Sequence, residues 1–123
     1  QARPRMTKPK IRLVEDETLI AMMMEDVLSD LGWEVAGSFG DVAPTLKWLE
    51  ECDGVDAAVL DINLGTETVF PVAEALKARG TPFTFLTGYS APLGASKFHT
   101  PVLNKPVDIA ELERVLNGFN AAA

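Results

Sequence analysis

The sequence has little of what disulfide-rich, zinc-binding or nucleic-acid-binding proteins require. It contains one cysteine, Cys52, and one histidine, His99, so it can form no internal disulfide and offers no cysteine–histidine set for zinc. Basic residues are also scarce, because 11 lysines and arginines face 18 aspartates and glutamates, for a formal net charge of −7. This balance argues against a nucleic-acid-binding surface, which usually needs a basic face.

Long apolar runs are missing as well. No stretch reaches the roughly 20 apolar residues of a membrane-spanning helix, and the N-terminal residues lack the pattern of a signal peptide. We therefore expect no membrane association, and the lone Cys52 favours a reducing, cytoplasmic location. What is present is an ordinary globular composition, with 47% hydrophobic and 24% charged residues, and 123 residues suffice for one domain with one core.

Short apolar runs alternate with helical patterns along the chain. Five runs predict strands, at residues 11–14, 34–39, 56–61, 83–87 and 102–104, and the segments between them predict helices. This alternation predicts an α/β domain with a parallel sheet. We predict that residues 1–9 form a disordered N-terminal segment and that residues 10–120 form the domain.

The predicted helices differ in how clearly the sequence indicates them. The first helix is expected to end at Gly32, the second to be capped by Asp41 and the last to be capped by Asp108. The apolar stripes expected to face the core are Ile20, Met23, Met24, Val27 and Leu31 in the first helix, and Ile109, Leu112, Val115, Leu116 and Phe119 in the last. Residues 90–98 predict a poor helix, because Pro92 and Gly94 interrupt it.

Polar residues follow four of the predicted strands. Glu15 and Asp16 follow the first, Asp61 ends the third, Thr87 ends the fourth and Lys105 follows the fifth. Because the carboxyl ends of parallel strands share one edge of the sheet, these side chains converge if their strands are neighbours. Alone, each is commonplace, since an aspartate after a strand is more often a turn or capping residue.

The chemistry of this set is constrained. Carboxylates close together repel each other unless a cation is present, and Mg²⁺ binds a few carboxylates together with a carbonyl, waters and phosphate oxygens. Lys105 and Thr87 are suited to contact phosphoryl oxygens. One carboxylate can then act as a nucleophile and form an aspartyl-phosphate. The pattern predicts magnesium-dependent phosphoryl chemistry.

Taken together, these motifs resemble the receiver domain of bacterial two-component response regulators, from residue 10 to residue 119. The resemblance implies a flavodoxin-like (βα)5 fold with a five-stranded parallel sheet in the order 2-1-3-4-5. It implies that Asp61 accepts a phosphoryl group from a phosphohistidine on a sensor histidine kinase or a histidine phosphotransferase. It also implies a cis peptide bond between Lys105 and Pro106.

The same resemblance assigns roles to the other site residues. Mg²⁺ would be the cofactor, bound by Asp16, by Asp61 and by the backbone carbonyl of Asn63, with Glu15 acting through water. Thr87 and Lys105 would hold the phosphoryl oxygens. The domain would catalyse only its own phosphorylation and dephosphorylation, and would otherwise not be an enzyme.

Two positions depart from the family's pattern: Gly65, which stands where many receivers have proline, and Val102. Val102, three residues before Lys105, stands where the family usually has a tyrosine or phenylalanine that moves when the Thr87-type hydroxyl engages the phosphoryl group. Residues 85–89, Phe-Leu-Thr-Gly-Tyr, resemble a subgroup of receivers that are often stand-alone. We hypothesise that Tyr89 and the weak segment 90–98 carry the response instead, so that Tyr89 and Val102 are the switch candidates.

The leading interpretation is a stand-alone receiver that signals by protein–protein contact or phosphorelay. A homodimer would use the face formed by residues 90–98, the fifth strand and the last helix. Alternatives are a receiver fragment of a longer regulator with an output domain, and an aspartyl-phosphate phosphohydrolase. The hydrolase usually has an aspartate two residues after its nucleophile, where Asn63 stands here. A flavin-binding module is disfavoured because Glu15 and Asp16 would repel its phosphate.

Overall fold

A computed structural model describes residues 8–40, 42–51, 55–65, 67–88 and 93–122. The strands are β1 (Lys10–Val14), β2 (Glu34–Phe39), β3 (Ala57–Asp61), β4 (Asn63–Leu64), β5 (Glu67–Thr68), β6 (Phe83–Thr87) and β7 (Val102–Asn104). The helices are α1 (Thr18–Asp30), α2 (Val42–Glu51), α3 (Phe70–Arg79), a 3-10 helix (Leu93–Phe98) and α4 (Ile109–Ala122).

Five of these strands form one parallel sheet in the order β2-β1-β3-β6-β7. This confirms the predicted order 2-1-3-4-5, because the two additional strands, β4 and β5, form a separate antiparallel hairpin directly after β3. The central strand β3 is buried along its whole length, as expected of an apolar run between two helical layers. The peptide bond between Lys105 and Pro106 is cis.

Helices cover both faces of the sheet. On one face, α1 and α4 enclose a core that includes Leu13 of β1 and Leu28 and Leu116 of the two helices. On the other face, α2, α3 and the 3-10 helix pack over a second core that includes Leu60 and Phe85. The sheet therefore separates two apolar clusters, and its carboxyl edge is left for the polar residues that follow the strands.

Two residues predicted to face the core do not. Met23 of α1 is 67% exposed and Ile109 of α4 is 52% exposed. In α1 the buried positions are Ala21, Met24 and Leu28, so the buried stripe is centred more than a quarter of a turn away from Met23. Ile109 is the first residue of α4 and lies at the rim of the core rather than within it.

The ends of the helices follow ordinary capping chemistry. The carboxylate of Asp108 accepts a hydrogen bond from the backbone N–H of Ala110 at 2.9 Å, which confirms it as the N-cap of α4. Gly32, after α1, has a φ of 95°, in the left-handed region that ends helices. The predicted cap of α2, Asp41, lies outside the described residues. In the predicted weak segment, residues 93–98 form a 3-10 helix, which is typical of short pieces.

The edge strand β2 contains a β-bulge. Its register with β1 shifts between Ile11 and Arg12, so β2 carries one extra residue there. Arg12 is buried, and its guanidinium carbon lies 3.6 Å from the centre of the Trp48 ring on α2. A Cβ atom at Gly37 would lie 2.7 Å from Arg12 Nη1, and Gly37 has a φ of 142°. A side chain at residue 37 would therefore strain the backbone and displace the guanidinium of Arg12, which favours glycine at this position.

Candidate functional site

The site lies where β1, β3, β6 and β7 end side by side. The pairing of β3 with both β1 and β6 brings Asp61 next to the ends of its two neighbours. At the end of β6, the carbonyl of Thr87 accepts a hydrogen bond from the backbone N–H of Lys105 at 2.9 Å. Hydrogen bonding between the strands thus fixes the positions of three segments that are far apart in the sequence.

Lys105 is the centre of the site. Its Nζ lies 2.9 Å from Asp61 Oδ2 and 2.9 Å from Glu15 Oε1. Both carboxylates are buried, with Asp61 4% and Glu15 3% exposed. The structure therefore brings together three of the predicted site residues in one ion-paired cluster with buried carboxylates and a half-buried lysine.

Asp16 completes an acidic cluster. Carboxylate oxygens of Glu15, Asp16 and Asp61 all lie within 4.8 Å of one another. Asp16 is exposed while the other two are buried, so the cluster has one open side. The backbone N–H of Asn63 donates to Asp61 Oδ1 at 3.3 Å, which holds the segment after β3 against the cluster. An all-oxygen set with an open side suits Mg²⁺, which retains several waters.

The protonation of this cluster reflects its burial. Burial raises the pKa of Glu15 to about 7, against the opposing effect of its hydrogen bonds with Lys105 and the backbone of Glu17, and the neighbouring Asp61 raises it further. Burial also disfavours the ammonium of Lys105, but its hydrogen bonds with Asp61 and Glu15 outweigh this and raise the pKa of Lys105. Two carboxylates share one ammonium here, so the site can accept additional positive charge.

The remaining predicted site residues lie around this cluster. Thr87 is buried at the end of β6, and Gly88 beside it is exposed. Val102 is half-buried and pairs with Phe85 across β6 and β7. The second switch candidate, Tyr89, lies outside the described residues, as do residues 90–92 of the predicted contact face.

Four phenylalanines on the α3 side of the sheet form a cluster that was not predicted from the sequence. We call it the phenylalanine cluster: Phe70, Phe83, Phe85 and Phe98. Their ring centres lie 5.4–5.9 Å apart in five pairs. Alternation along β6 could have predicted that Phe83 and Phe85 share a face. The approach of Phe70 and Phe98 depends on how α3 and the 3-10 helix pack, for which the sequence gives no local signal.

An apolar groove of about 450 Å³ borders Lys105 on the other side. Its lining includes Met23 of α1 and Pro106, Val107 and Ile109 after β7. The two residues that were wrongly predicted to be buried, Met23 and Ile109, are thus exposed on the walls of the same groove. Exposed apolar surface of this kind is a common feature of protein interaction sites.

Solved structures of similar fold identify the family. SdrG from Sphingomonas melonis Fr1 is 42% identical, with a TM-score of 0.77, over 91% of this chain and 96% of SdrG. A structure of SdrG from Pseudomonas melonis Fr1 in its BeF3-activated conformation is 43% identical, with a TM-score of 0.71, over 92% and 97% of the two chains. The response regulatory domain of mrkE from Klebsiella pneumoniae is 25% identical, with a TM-score of 0.80, over 92% and 96%.

The chain is a response-regulator receiver domain. A further receiver domain, from the sensor histidine kinase PA1611 of Pseudomonas aeruginosa PAO1, has the same fold, with 24% identity and a TM-score of 0.78 over 92% of this chain and 98% of the other. That structure has magnesium coordinated in its active-site cleft. Comparisons of the receiver domain with protein-family models and with curated proteins give no match. Among its described helices, none has the length and apolar character needed to cross a membrane.

Proposed function

We propose that this receiver domain accepts a phosphoryl group on Asp61 from a phosphohistidine of a sensor histidine kinase or a histidine phosphotransferase. The observation that supports this most directly is the position of Lys105 Nζ, 2.9 Å from Asp61 Oδ2. A buried carboxylate with an ammonium at contact distance, at the carboxyl edge of a parallel sheet, suits a nucleophile whose product carries negative charge on the phosphoryl oxygens.

The proposed step is an in-line phosphoryl transfer. A carboxylate oxygen of Asp61 forms the new O–P bond while the P–N bond to the donor imidazole breaks, and the imidazole leaves with the bonding electron pair. Lys105 neutralises charge on the transferred oxygens, and the hydroxyl of Thr87 donates a hydrogen bond to one of them. Asp61 and Glu15 are buried, and we infer that this burial limits the access of water to the acyl phosphate.

The residues present fit a magnesium ion. Asp16, Asp61 and the backbone carbonyl of Asn63 would hold it, with Glu15 acting through water. Bound Mg²⁺ would supply positive charge to the phosphoryl oxygens. The fit is supported by the acidic cluster, in which carboxylate oxygens of Glu15, Asp16 and Asp61 lie within 4.8 Å of one another.

We further propose that output is by protein–protein contact or by passing the phosphoryl group on. The apolar groove beside Lys105 supports a protein donor or acceptor, because its exposed side chains Met23 and Ile109 lie next to the proposed phosphoryl site. The homodimer face, with α4, β7 and residues 90–98, and the role of Tyr89 or Val102 in the response remain predictions of the sequence.

The test is phosphorylation by a small donor. We expect incubation with Mg²⁺ and acetyl phosphate to add one phosphoryl group, measured as intact mass, because Asp61 needs no partner protein to attack a reactive donor. The gain should be lost in Asp61→Asn and retained in Asp56→Asn, a matched change directly before the start of β3. Equal labelling of Asp61→Asn and the parent protein would refute Asp61 as the acceptor.

A further inference from the structure

Three consecutive methionines of α1 differ in how far solvent reaches them. Met22 is 57% exposed and Met23 is 67% exposed, whereas Met24 is 6% exposed. Each residue of an α-helix turns by about 100°, so three successive side chains cannot all lie against the sheet. Met24 packs in the core with Ala21 and Leu28, and the other two methionines are left at the surface. The run therefore contains two accessible thioether side chains beside a shielded one.

The apolar groove beside Lys105 distinguishes the two exposed methionines. Among the described residues, its lining includes Met23 and Met24 but not Met22. Residues after β7 complete the lining, and one of them, Ile109, is itself 52% exposed. Met23 is therefore an exposed methionine on the wall of an apolar groove, and Met22 is a neighbour of similar exposure outside it.

The exposed thioethers are open to oxidation by hydroperoxides. The sulfur attacks the outer oxygen of the peroxide: a sulfur–oxygen bond forms from the sulfur lone pair, the oxygen–oxygen bond breaks, and water or an alcohol leaves with the peroxide proton. The sulfur is oxidised by two electrons and the peroxide is reduced by two, so no further reactant is needed. The peroxide must reach the sulfur, which the exposure of Met22 and Met23 permits and the burial of Met24 hinders.

A sulfoxide on Met23 would change the groove more than the fold. Methionine sulfoxide is polar, whereas all the described lining residues of the groove except Lys105 are apolar. Because the side chain of Met23 is mostly exposed, water can hydrate the sulfoxide in the free domain. This hydration is lost when an apolar ligand covers the groove, and burying a polar group without a partner is unfavourable. The unfavourable free energy therefore falls on ligand binding rather than on folding.

We propose that Met23 is a reversible oxidation site, and that its conversion to the sulfoxide by a hydroperoxide weakens the binding of apolar ligands in the groove beside Lys105. Methionine sulfoxide reductases return the sulfoxide to the thioether, so the modification can be undone. The oxidation and its effect on the groove are independent of whether Asp61 accepts a phosphoryl group. Only the consequence for a protein donor that contacts the groove rests on the proposed function.

The methionine run supplies matched controls. Met22→Leu removes the exposed methionine outside the groove, whereas Met23→Leu keeps an apolar side chain on the groove wall that cannot be oxidised. Leucine resembles methionine in volume and helix propensity, so both variants should fold like the parent. Met24 remains as the internal standard for a shielded thioether. Ile109→Ser places a hydroxyl in the same groove without changing a sulfur atom, and so tests where a ligand binds.

The first measurement locates the oxidation. The full chain is treated with hydrogen peroxide, and the sulfoxide at each methionine is followed by fragmentation of the peptide that carries residues 22–24. Met22 and Met23 should be oxidised about tenfold faster than Met24, because burial restricts access to its sulfur. Oxidation of Met24 as fast as that of Met23 would overturn the proposal.

The same sample shows whether the fold is affected. The oxidised protein should keep its melting temperature within about 2 °C, because the sulfoxide of Met23 stays hydrated. A larger fall would mean that oxidation disturbs the fold rather than the groove, and would also refute the proposal.

The second measurement follows the groove with the apolar fluorophore anilinonaphthalene sulfonate. We expect the unoxidised parent to bind the fluorophore and Ile109→Ser to bind it more weakly. Oxidation should lower the affinity about fivefold in the parent and in Met22→Leu, and methionine sulfoxide reductase should restore it. In Met23→Leu, treatment with peroxide should leave the affinity unchanged.

The outcomes separate this inference from the proposed function. An equal loss of affinity in Met23→Leu and in the parent, or an unoxidised parent that does not bind the fluorophore, would overturn the oxidation site and leave the role of Asp61 untouched. Failure of acetyl phosphate to label Asp61 would refute the proposed function and leave the oxidation site standing.

Discussion

The two flanks of Asp61 differ in charge and in the way they are built. The acidic flank, Glu15 and Asp16, is one continuous segment after β1, whereas the lysine flank, Thr87 and Lys105, comes from two strands joined by a backbone hydrogen bond. Lys105 nevertheless reaches across Asp61 to Glu15. The single ammonium therefore pairs with both Asp61 and Glu15. A cation on the acidic flank would compete for these carboxylates and leave the ammonium available to phosphoryl oxygens.

The largest effect is expected from breaking the acidic flank. Asp16→Ala should weaken Mg²⁺ binding about a hundredfold or more, or roughly 2.7 kcal/mol, because it removes the only solvent-facing carboxylate of the cluster. Isothermal titration calorimetry measures this directly. Asp26→Ala, an exposed acid on α1 outside the cluster, should bind Mg²⁺ like the parent, and undiminished affinity in Asp16→Ala would overturn its assignment as a ligand.

Breaking the lysine flank should separate metal binding from phosphorylation. Lys105→Ala is expected to bind Mg²⁺ as well as the parent or better, because the competing ammonium is gone, while its labelling by acetyl phosphate slows about tenfold or more. The exposed Lys97→Ala is the matched control for loss of one positive charge. A Lys105→Ala protein that no longer binds Mg²⁺ would contradict the division between the two flanks.

A smaller effect is expected from pH, because Glu15 of the acidic flank binds its proton more tightly in the native protein than in the unfolded chain. Between pH 4.5 and about 7, native Glu15 keeps a proton that the unfolded chain has released, so this residue lowers stability as the pH rises through that range. Urea unfolding without metal should show the fall, and Glu15→Gln should flatten it. For the parent, Mg²⁺ affinity should rise toward pH 7 as Glu15 loses its proton. A Glu15→Gln protein with the parent's full pH dependence would exclude burial of Glu15 as its cause.

Most of the fold could be predicted because the strands carry strong local signals. The apolar run before Asp61 and the residues of β6 were predicted within one residue, and the order of the sheet followed from the family resemblance. The β4–β5 hairpin could not be predicted, because two residues per strand show no periodicity. Met23 was misassigned because residues 20–24 are all apolar, so the sequence does not show which side of the helix is buried. Ile109 was misassigned because it is the first residue of its helix.

Part of the site could be predicted from the sequence, and part of it could not. Strand ends predicted that Glu15, Asp61 and Lys105 would meet, and the structure brings them into contact. The burial of Glu15 could not be predicted from its neighbours in the sequence, and the lysine that it contacts lies 90 residues away. Its proposed action through water is still a prediction. The phenylalanine cluster was missed for the same reason, because three separate elements contribute its rings.

The bulge in β2 has a consequence for how copies of this domain can meet. An unpaired sheet edge is a template on which another chain can add a strand, and bulges and short strands discourage this. Here one outer edge is kinked over the guanidinium of Arg12 and the other, β7, is only three residues long. Neither border is suited to continuous pairing with a neighbour, so the edges of the sheet disfavour the addition of a strand from a second copy.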